Sequence, residues 1–232
     1  MKLYKIYQSI INALPAFDGI PALLIRLFLG PVFIMAGYSK LQLGSPDITG
    51  LSVFLVNPNI IEWFGNSEWG LGMPFPWLLA HLAAWVEFFG GWLLMVGLAT
   101  RLLTIPLMFT MVIAATTVHL ENGWFAIAPT NTETSAANVF NWLGFESAEE
   151  SLADSEQSGI KLNRMRGILE ENGNTEWLYE NGTIVVLNNG IEFASTYFIM
   201  LLALLFIGAG RYTSIDHYLK SYYLSKNQHL IQ

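Results

Sequence analysis

An ionisable residue in the middle of a long apolar run constrains this sequence more than any other feature. Residues 77–98 have the length of a membrane span, about 20 residues, yet Glu87 lies near their centre. A carboxylate at mid-membrane costs about 2.5–3.5 kcal/mol on insertion scales. The neighbours of Glu87 at helical spacing are small (Ala80, Ala84 and Gly91), which lets a second helix approach closely. We therefore predict that Glu87 faces the interior of a helix bundle.

The composition is that of a membrane protein. Only 12% of the 232 residues are charged and 53% are hydrophobic, whereas soluble domains average about 25% charged residues. Four apolar runs are candidate spans, at residues 22–41, 77–98, 102–120 and 193–209. The sequence thus predicts one all-α integral membrane domain over 1–232, a bundle of four transmembrane helices. There is no cysteine, which excludes thiolate metal sites and iron–sulfur clusters.

One sizeable segment outside the membrane, residues 121–191, separates the third run from the fourth. It carries eleven acidic residues against three basic ones. A capping box at Ser147 predicts a helix that is interrupted near Gly159 and ends near Glu171. Asn181-Gly182 lies between residues 177–180, which include aromatic residues, and residues 183–187, which are rich in β-branched ones. This pattern predicts a β-hairpin with these two segments as its strands. We expect this acidic outer loop to meet protein partners.

The distribution of Lys and Arg predicts the orientation. If the spans alternate, most basic residues outside the acidic loop fall on one side of the membrane, and the short loop 43–76 on the opposite side has none. By the positive-inside bias, we predict that both termini are cytoplasmic and that the acidic loop faces outward. Residues 1–15 are expected to lie on the lipid surface as an amphipathic helix, with Lys2 and Lys5 near lipid phosphates. The basic surface interleaved with aromatic residues that binds nucleic acids is missing.

A polar stripe marks the first span. Arg26, Gly30, Phe33, Gly37 and Lys40 recur at steps of four and three residues, so that they share one face of a helix. The two cations either take part in a site or snorkel from the ends of the helix toward the interfaces. Arg26 leans away from Glu87, which makes it the weaker candidate partner.

The outer half of the bundle is therefore the candidate site. Helical side chains lean toward the N-terminus of their own helix, so Lys40, Glu87 and His119 can converge, with His81 and Glu192 at the rim. Such groups could bind copper or another divalent ion, with His81 and His119 as ligands. They could instead relay protons to a quinone, or form an ion pair that fixes helix register. No catalytic sequence motif accompanies them, so the residues alone name no reaction.

The order Arg26, Lys40, Glu87, Gly90-Gly91, Thr100-Arg101, His119, Glu192, Gly208-Ala209-Gly210 and Ser214-Ile215-Asp216 resembles that of the DoxX family of small bacterial membrane proteins. The stretches WFGNSEWGLGMPFP, TVHLENGWFAIA and LNNGIEFASTYFIMLL are similar to the HvfX-type subgroup, which is associated with maturation of copper-binding peptides.

This resemblance implies a four-helix protein of the bacterial inner membrane that acts with partners in redox chemistry or copper-peptide handling. It implies functional roles for Glu87, Arg101, His119 and Glu192. We assign Glu87, Lys40 and His119 as candidate reactive groups, and Arg26, Arg101 and Glu192 as candidate cofactor contacts. Quinone and copper are both possible cofactors. A quinone-linked oxidoreductase subunit and a purely structural anchor for a partner complex are the alternative functions, and whether the chain is an enzyme stays open.

Overall fold

In a computed structural model of the chain, every regular element among residues 2–228 is helical, and two isolated β-bridges join extended segments. The structure describes these residues apart from the side chains of Lys2, Ile10, Pro15, Asn227 and Gln228, so the predicted role of the Lys2 side chain lies outside the described residues. The described chain divides into two compact units. The first combines the residues up to Thr117 with those from Ala194 onward, and the second is Val118–Phe193.

Three helices of the described chain are long and apolar enough to cross a membrane. These are α2 (Gly19–Lys40), α4 (Pro76–Val96) and the helical segment Thr100–Asn122, which begins with α5 (Thr100–Ala114) and continues through a π-helical turn at Ala115–His119. They correspond to the first three predicted spans. The fourth predicted span forms the apolar helix α9 (Glu192–Ile207), whose 16 residues fall short of the usual minimum of about 17. A fourth crossing therefore stays a prediction.

The main core of the first unit draws on all four apolar helices. Leu29 and Phe33 of α2, Leu94 of α4, Leu107 of α5 and Leu201 of α9 are fully buried in one cluster. On α4 the predicted small-residue face is the buried one, because Ala80, Ala84, Glu87, Gly90 and Gly91 are all buried. Side chains such as Phe89 and Trp92 point outward on the same helix.

Glycines allow α2 and α4 to approach closely. A Cβ atom on Gly37 would collide with the backbone of Phe88, and one on Gly91 would lie 2.8 Å from the backbone nitrogen of Ile34. The two helices therefore touch through their backbones at two levels, so that polar side chains at these levels lie within reach of one another.

The segment between α2 and α4 forms a second small core with α4. The short helix α3 (Pro58–Gly65) begins where the Asn57 side chain accepts a hydrogen bond from the Asn59 amide at 3.0 Å. Phe64 of α3 and Val56 before it are buried against Ala80 and Ala84. This segment covers part of α4.

At the start of the first unit, α1 (Lys2–Ala13) is amphipathic, and Leu3, Ile6 and Tyr7 are exposed. At its other end, α10 (Ile215–Gln228) follows the Gly208-Ala209-Gly210 turn. Both helices carry some of the basic residues on which the predicted orientation rests.

The second unit is built on a long helix, α7 (Glu146–Asn172), with α6 (Ala137–Trp142) before it and the one-turn α8 (Thr175–Leu178) after it. Helix α7 begins after Phe145 with no side-chain cap, so the predicted capping box does not form. It also runs through Gly159 without interruption. Gly159 is buried against the Thr130 backbone, where a Cβ atom would collide, which gives this glycine a packing role.

The predicted β-hairpin is wrong. The Asn174 side chain accepts a hydrogen bond from the Trp177 amide at 3.2 Å and starts α8, so the first predicted strand is in part helical. The second predicted strand pairs with a different segment: Leu187 bridges Ile127, and the Ala128 amide donates to the Val186 carbonyl at 3.0 Å. The backbone of this segment finds its partners across some 60 residues of sequence, which a short-range turn pattern cannot reveal.

Candidate functional site

A buried ion pair joins α2 to α4. Lys40 Nζ lies 2.5 Å from Glu87 Oε2 and also donates to the Ala36 carbonyl at 3.2 Å. The Glu87 side chain keeps 6% of its exposed area and that of Lys40 keeps 21%. The predicted contact between these two groups is therefore present, and Glu87 faces another helix.

The glycine stripe on α2 explains why these two residues meet. Gly37 lies one helical turn before Lys40 and rests against the backbone of Phe88, the residue next to Glu87. This contact brings the end of α2 to the middle of α4. The long Lys40 side chain then reaches back along its helix to the carboxylate.

His81 lies on the same face of α4, nearly two turns before Glu87, and is 1% exposed. Its Nδ1 is 2.8 Å from the Trp77 carbonyl, and its Nε2 accepts a hydrogen bond from the Val56 amide at 3.1 Å. These two partners indicate a neutral ring with the proton on Nδ1. Both nitrogens are thus engaged with the backbone, and the geometry favours a structural role for His81 over metal ligation.

Arg26 is fully buried at the other end of the polar stripe. Its Nη1 donates to the Met95 carbonyl at 2.9 Å, and its Nη2 donates to the Thr213 carbonyl at 2.9 Å. Its Nε has no partner within the described residues. Arg26 therefore does not snorkel; it ties α2 to the end of α4 and to the turn before α10.

The turns that follow α4 and α9 hold the next candidate residues. Arg101 donates from Nη2 to the Phe206 carbonyl at 3.0 Å, which satisfies an end group of α9. Asp216 accepts hydrogen bonds from the Ala99 amide at 2.7 Å and the Thr100 amide at 3.0 Å, so that it caps α5 from a distant part of the chain.

The second unit contains His119 and Glu192. His119 Nδ1 lies 2.8 Å from the Asn189 carbonyl, and Glu192 Oε2 accepts a hydrogen bond from the Ala126 amide at 2.9 Å. Together with backbone bonds such as that from the Ile191 amide to the Gly123 carbonyl, they join the two ends of the unit. The convergence of these residues with the Lys40–Glu87 pair stays a prediction.

The donor set does not fit a metal ion held by three or more protein groups. Across residues 2–228, no cluster of at least three His, Asp or Glu side chains is placed to bind one ion. Of the predicted ligands, His81 uses both ring nitrogens and His119 uses one. We derive no chemistry through a resident copper ion.

Sequence reasoning missed the roles of Asp216 and Thr213. Asp216 accepts a hydrogen bond from the Thr100 amide at the start of α5, 116 residues away in the sequence. The Thr213 carbonyl accepts a hydrogen bond from Arg26, 187 residues away. Asp216 lies in the first turn of α10, where an acid normally stabilises its own helix. Nothing local in the sequence indicates that this acid caps another helix.

Comparisons with known proteins agree with the membrane architecture. Neither the curated proteins nor the solved structures include a significant match to this chain. The DoxX family model matches residues 22–120, which contain α2, α4 and α5 with the Lys40–Glu87 pair. Residues 22–120 of this chain are therefore a DoxX family domain.

Proposed function

We propose that this protein is an inner-membrane DoxX-type accessory protein whose Lys40–Glu87 pair is a functional polar site within the membrane. We further propose that it acts in redox homeostasis or in the maturation of copper-binding peptides, together with proteins that meet its acidic outer loop. The observation that carries the proposal is the ion pair between two helices that are long and apolar enough to cross a membrane, with its carboxylate buried. Ionisable groups in such helices are rare and most often functional.

The pair has the chemistry of a proton-handling or polar-ligand site. An ammonium donor and a carboxylate acceptor lie side by side, and of the two side chains only that of Lys40 keeps appreciable exposure. A polar head group that approaches Lys40 would meet a donor whose charge Glu87 balances. A quinone, if bound here, would supply two-electron redox chemistry, which keeps the oxidoreductase subunit as an alternative.

The acidic outer loop supports the part of the proposal that involves partners. Besides its eleven acidic and three basic residues, it carries exposed apolar side chains, including Trp142 and Trp177, which are 78% and 69% exposed. Exposed aromatic residues among charges are typical of protein contact surfaces. The positive-inside bias predicts that this surface faces away from the cytoplasm. On that side it would meet secreted peptides.

The structural-anchor alternative also has an observation in its favour. Gly37 and Gly91 already bring α2 against α4, and an ion pair at that contact fixes the register of the two helices. In that case charge is dispensable at residues 40 and 87, provided that the helices still pack.

The test compares variants in a strain that lacks the native protein, challenged separately with copper and with an oxidant. Glu87→Gln removes the charge at the pair with little change in shape, and Glu68→Gln makes the same change at an exposed loop position as a matched control. We expect Glu87→Gln to lose protection at unchanged membrane abundance, and Glu68→Gln to keep it. Full protection by Glu87→Gln would contradict the proposal.

Two further measurements separate the alternatives. Protection by the charge-free double variant Lys40→Met/Glu87→Gln would favour the structural anchor. Quinone that copurifies with the native protein in stoichiometric amount, and is lost in Glu87→Gln, would favour the oxidoreductase subunit. His119→Ala tests whether the second unit contributes to the same function.

A further inference from the structure

An open cavity of about 960 Å³ lies within the first unit, where the turns after α4 and α9 meet the start of α10. It is separate from the Lys40–Glu87 pair. Its lining combines basic side chains (Arg101, Arg211 and Lys220) with apolar ones such as Leu102 and Ile207. The cavity is thus amphiphilic, and it lies at the ends of membrane helices.

The two acids that line the cavity are already engaged. Asp18 pairs with Arg211 at 3.1 Å, and Asp216 uses both carboxylate oxygens on the amides that begin α5. Arg101 and Lys220 make no ion pair with any described residue. Counting Arg, Lys and Asp, the lining carries three positive and two negative charges, so it is net positive by one, and its cations unpaired within the described chain are Arg101 and Lys220.

The apolar part of the lining continues outward along two helices. Leu102 at the start of α5 is 70% exposed, and Phe206 and Ile207 at the end of α9 are 73% and 51% exposed. Helix ends of this kind lie at the depth of the lipid head groups, and side chains further along them lie at the depth of the acyl chains. A ligand that is anionic at one end and apolar at the other matches this arrangement.

We propose that this cavity binds the phosphate-bearing head group of an acidic phospholipid, with Arg101 and Lys220 as its charge partners and Leu102 and Ile207 against its acyl chains. Basic pockets between membrane helices recognise anionic head groups by this combination of charge and depth. The inference rests on the cavity alone and not on the proposed function of the ion pair.

Binding of defined lipids to the full-length protein in detergent, measured by native mass spectrometry, tests the proposal. The lipids are phosphatidylglycerol and, at equal chain length, the zwitterionic phosphatidylcholine. Lys220→Gln removes one cavity charge, and Lys226→Gln removes the same charge further along α10 at a position outside the lining. Thermal unfolding in phosphatidylcholine confirms that both variants fold.

We expect the native protein to prefer phosphatidylglycerol, and Lys220→Gln to weaken that binding about fivefold, which corresponds to about 1 kcal/mol for one basic residue at an anionic lipid surface. Lys226→Gln should leave the binding unchanged. Equal losses in both variants, or equal affinity for the two lipids, would overturn the proposal. Inorganic phosphate that displaces phosphatidylglycerol at millimolar concentration would assign the cavity to a free anion and overturn the lipid assignment.

Discussion

The Lys40–Glu87 pair predicts an asymmetric loss of stability when either partner is removed. The test is a double-mutant cycle made of Lys40→Met, Glu87→Gln and the two changes together. Lys40→Met leaves a carboxylate whose side chain is 6% exposed without its cation. Breaking a buried pair in this way costs about 3–5 kcal/mol.

Glu87→Gln should cost less. The Lys40 side chain is 21% exposed, and its Nζ keeps its bond to the Ala36 carbonyl, so this side chain is neither fully buried nor unbonded. We expect a loss of about 1.5–3 kcal/mol, the scale of one hydrogen bond to a charged group. The double variant leaves no unpaired charge. Its loss of unfolding free energy should therefore be smaller than the sum of the two single losses, by about 1–3 kcal/mol.

The assay is reversible unfolding of the purified protein in mixed micelles of increasing denaturing detergent, followed by circular dichroism. The exposed pair Asp18–Arg211, whose side chains are 43% and 58% exposed, provides the control cycle. Its coupling should be no more than about 1 kcal/mol. Additive effects at Lys40 and Glu87, or a larger loss for Glu87→Gln than for Lys40→Met, would refute the reasoning.

Three further changes test how the site is held in place, and a fourth, at Gly167 of α7, is a control at an open glycine. Gly37→Val puts side-chain atoms into the contact between α2 and α4 and should cost more than about 3 kcal/mol. In Gly167→Ala the added Cβ atom meets no atom within 4 Å, so this change should stabilise α7 by about 0.5–1 kcal/mol. Unfolding midpoints measure both effects. Asp216→Ala removes the cap of α5 and should cost about 1–2 kcal/mol, with faster amide exchange confined to the first turn of that helix. His81→Phe leaves the buried Val56 amide without its acceptor, and should cost about 1–3 kcal/mol in the same unfolding assay.

The sequence predicts the parts of this molecule that depend on helix periodicity. The face of Ala80, Ala84, Glu87 and Gly91 is buried as expected, because small residues at steps of three and four leave only one way to pack a helix that carries a carboxylate. The Lys40–Glu87 contact follows from the same periodicity on α2 together with the backward lean of helical side chains.

The parts that were missed depend on distant segments. The Asn181-Gly182 turn signal was outweighed because the following segment pairs with residues near Ile127. Arg26 looked free to snorkel because its acceptor at Thr213 lies 187 residues away. Local patterns carry no information about such partners. For the same reason His81 was predicted as a candidate ligand, although both of its ring nitrogens have backbone partners.

The ammonium group of Lys40 and the carboxylate of Glu87 meet directly between α2 and α4. Solid-state NMR of the protein in lipid bilayers, with ¹⁵N-lysine and ¹³C-glutamate labels, measures the dipolar coupling between Lys40 Nζ and the Glu87 carboxyl carbon. The Nζ–Oε2 distance of 2.5 Å predicts a strong coupling that disappears in Lys40→Met and persists in Lys226→Gln. A Glu87 carboxyl signal with no coupling to lysine nitrogen would contradict the account.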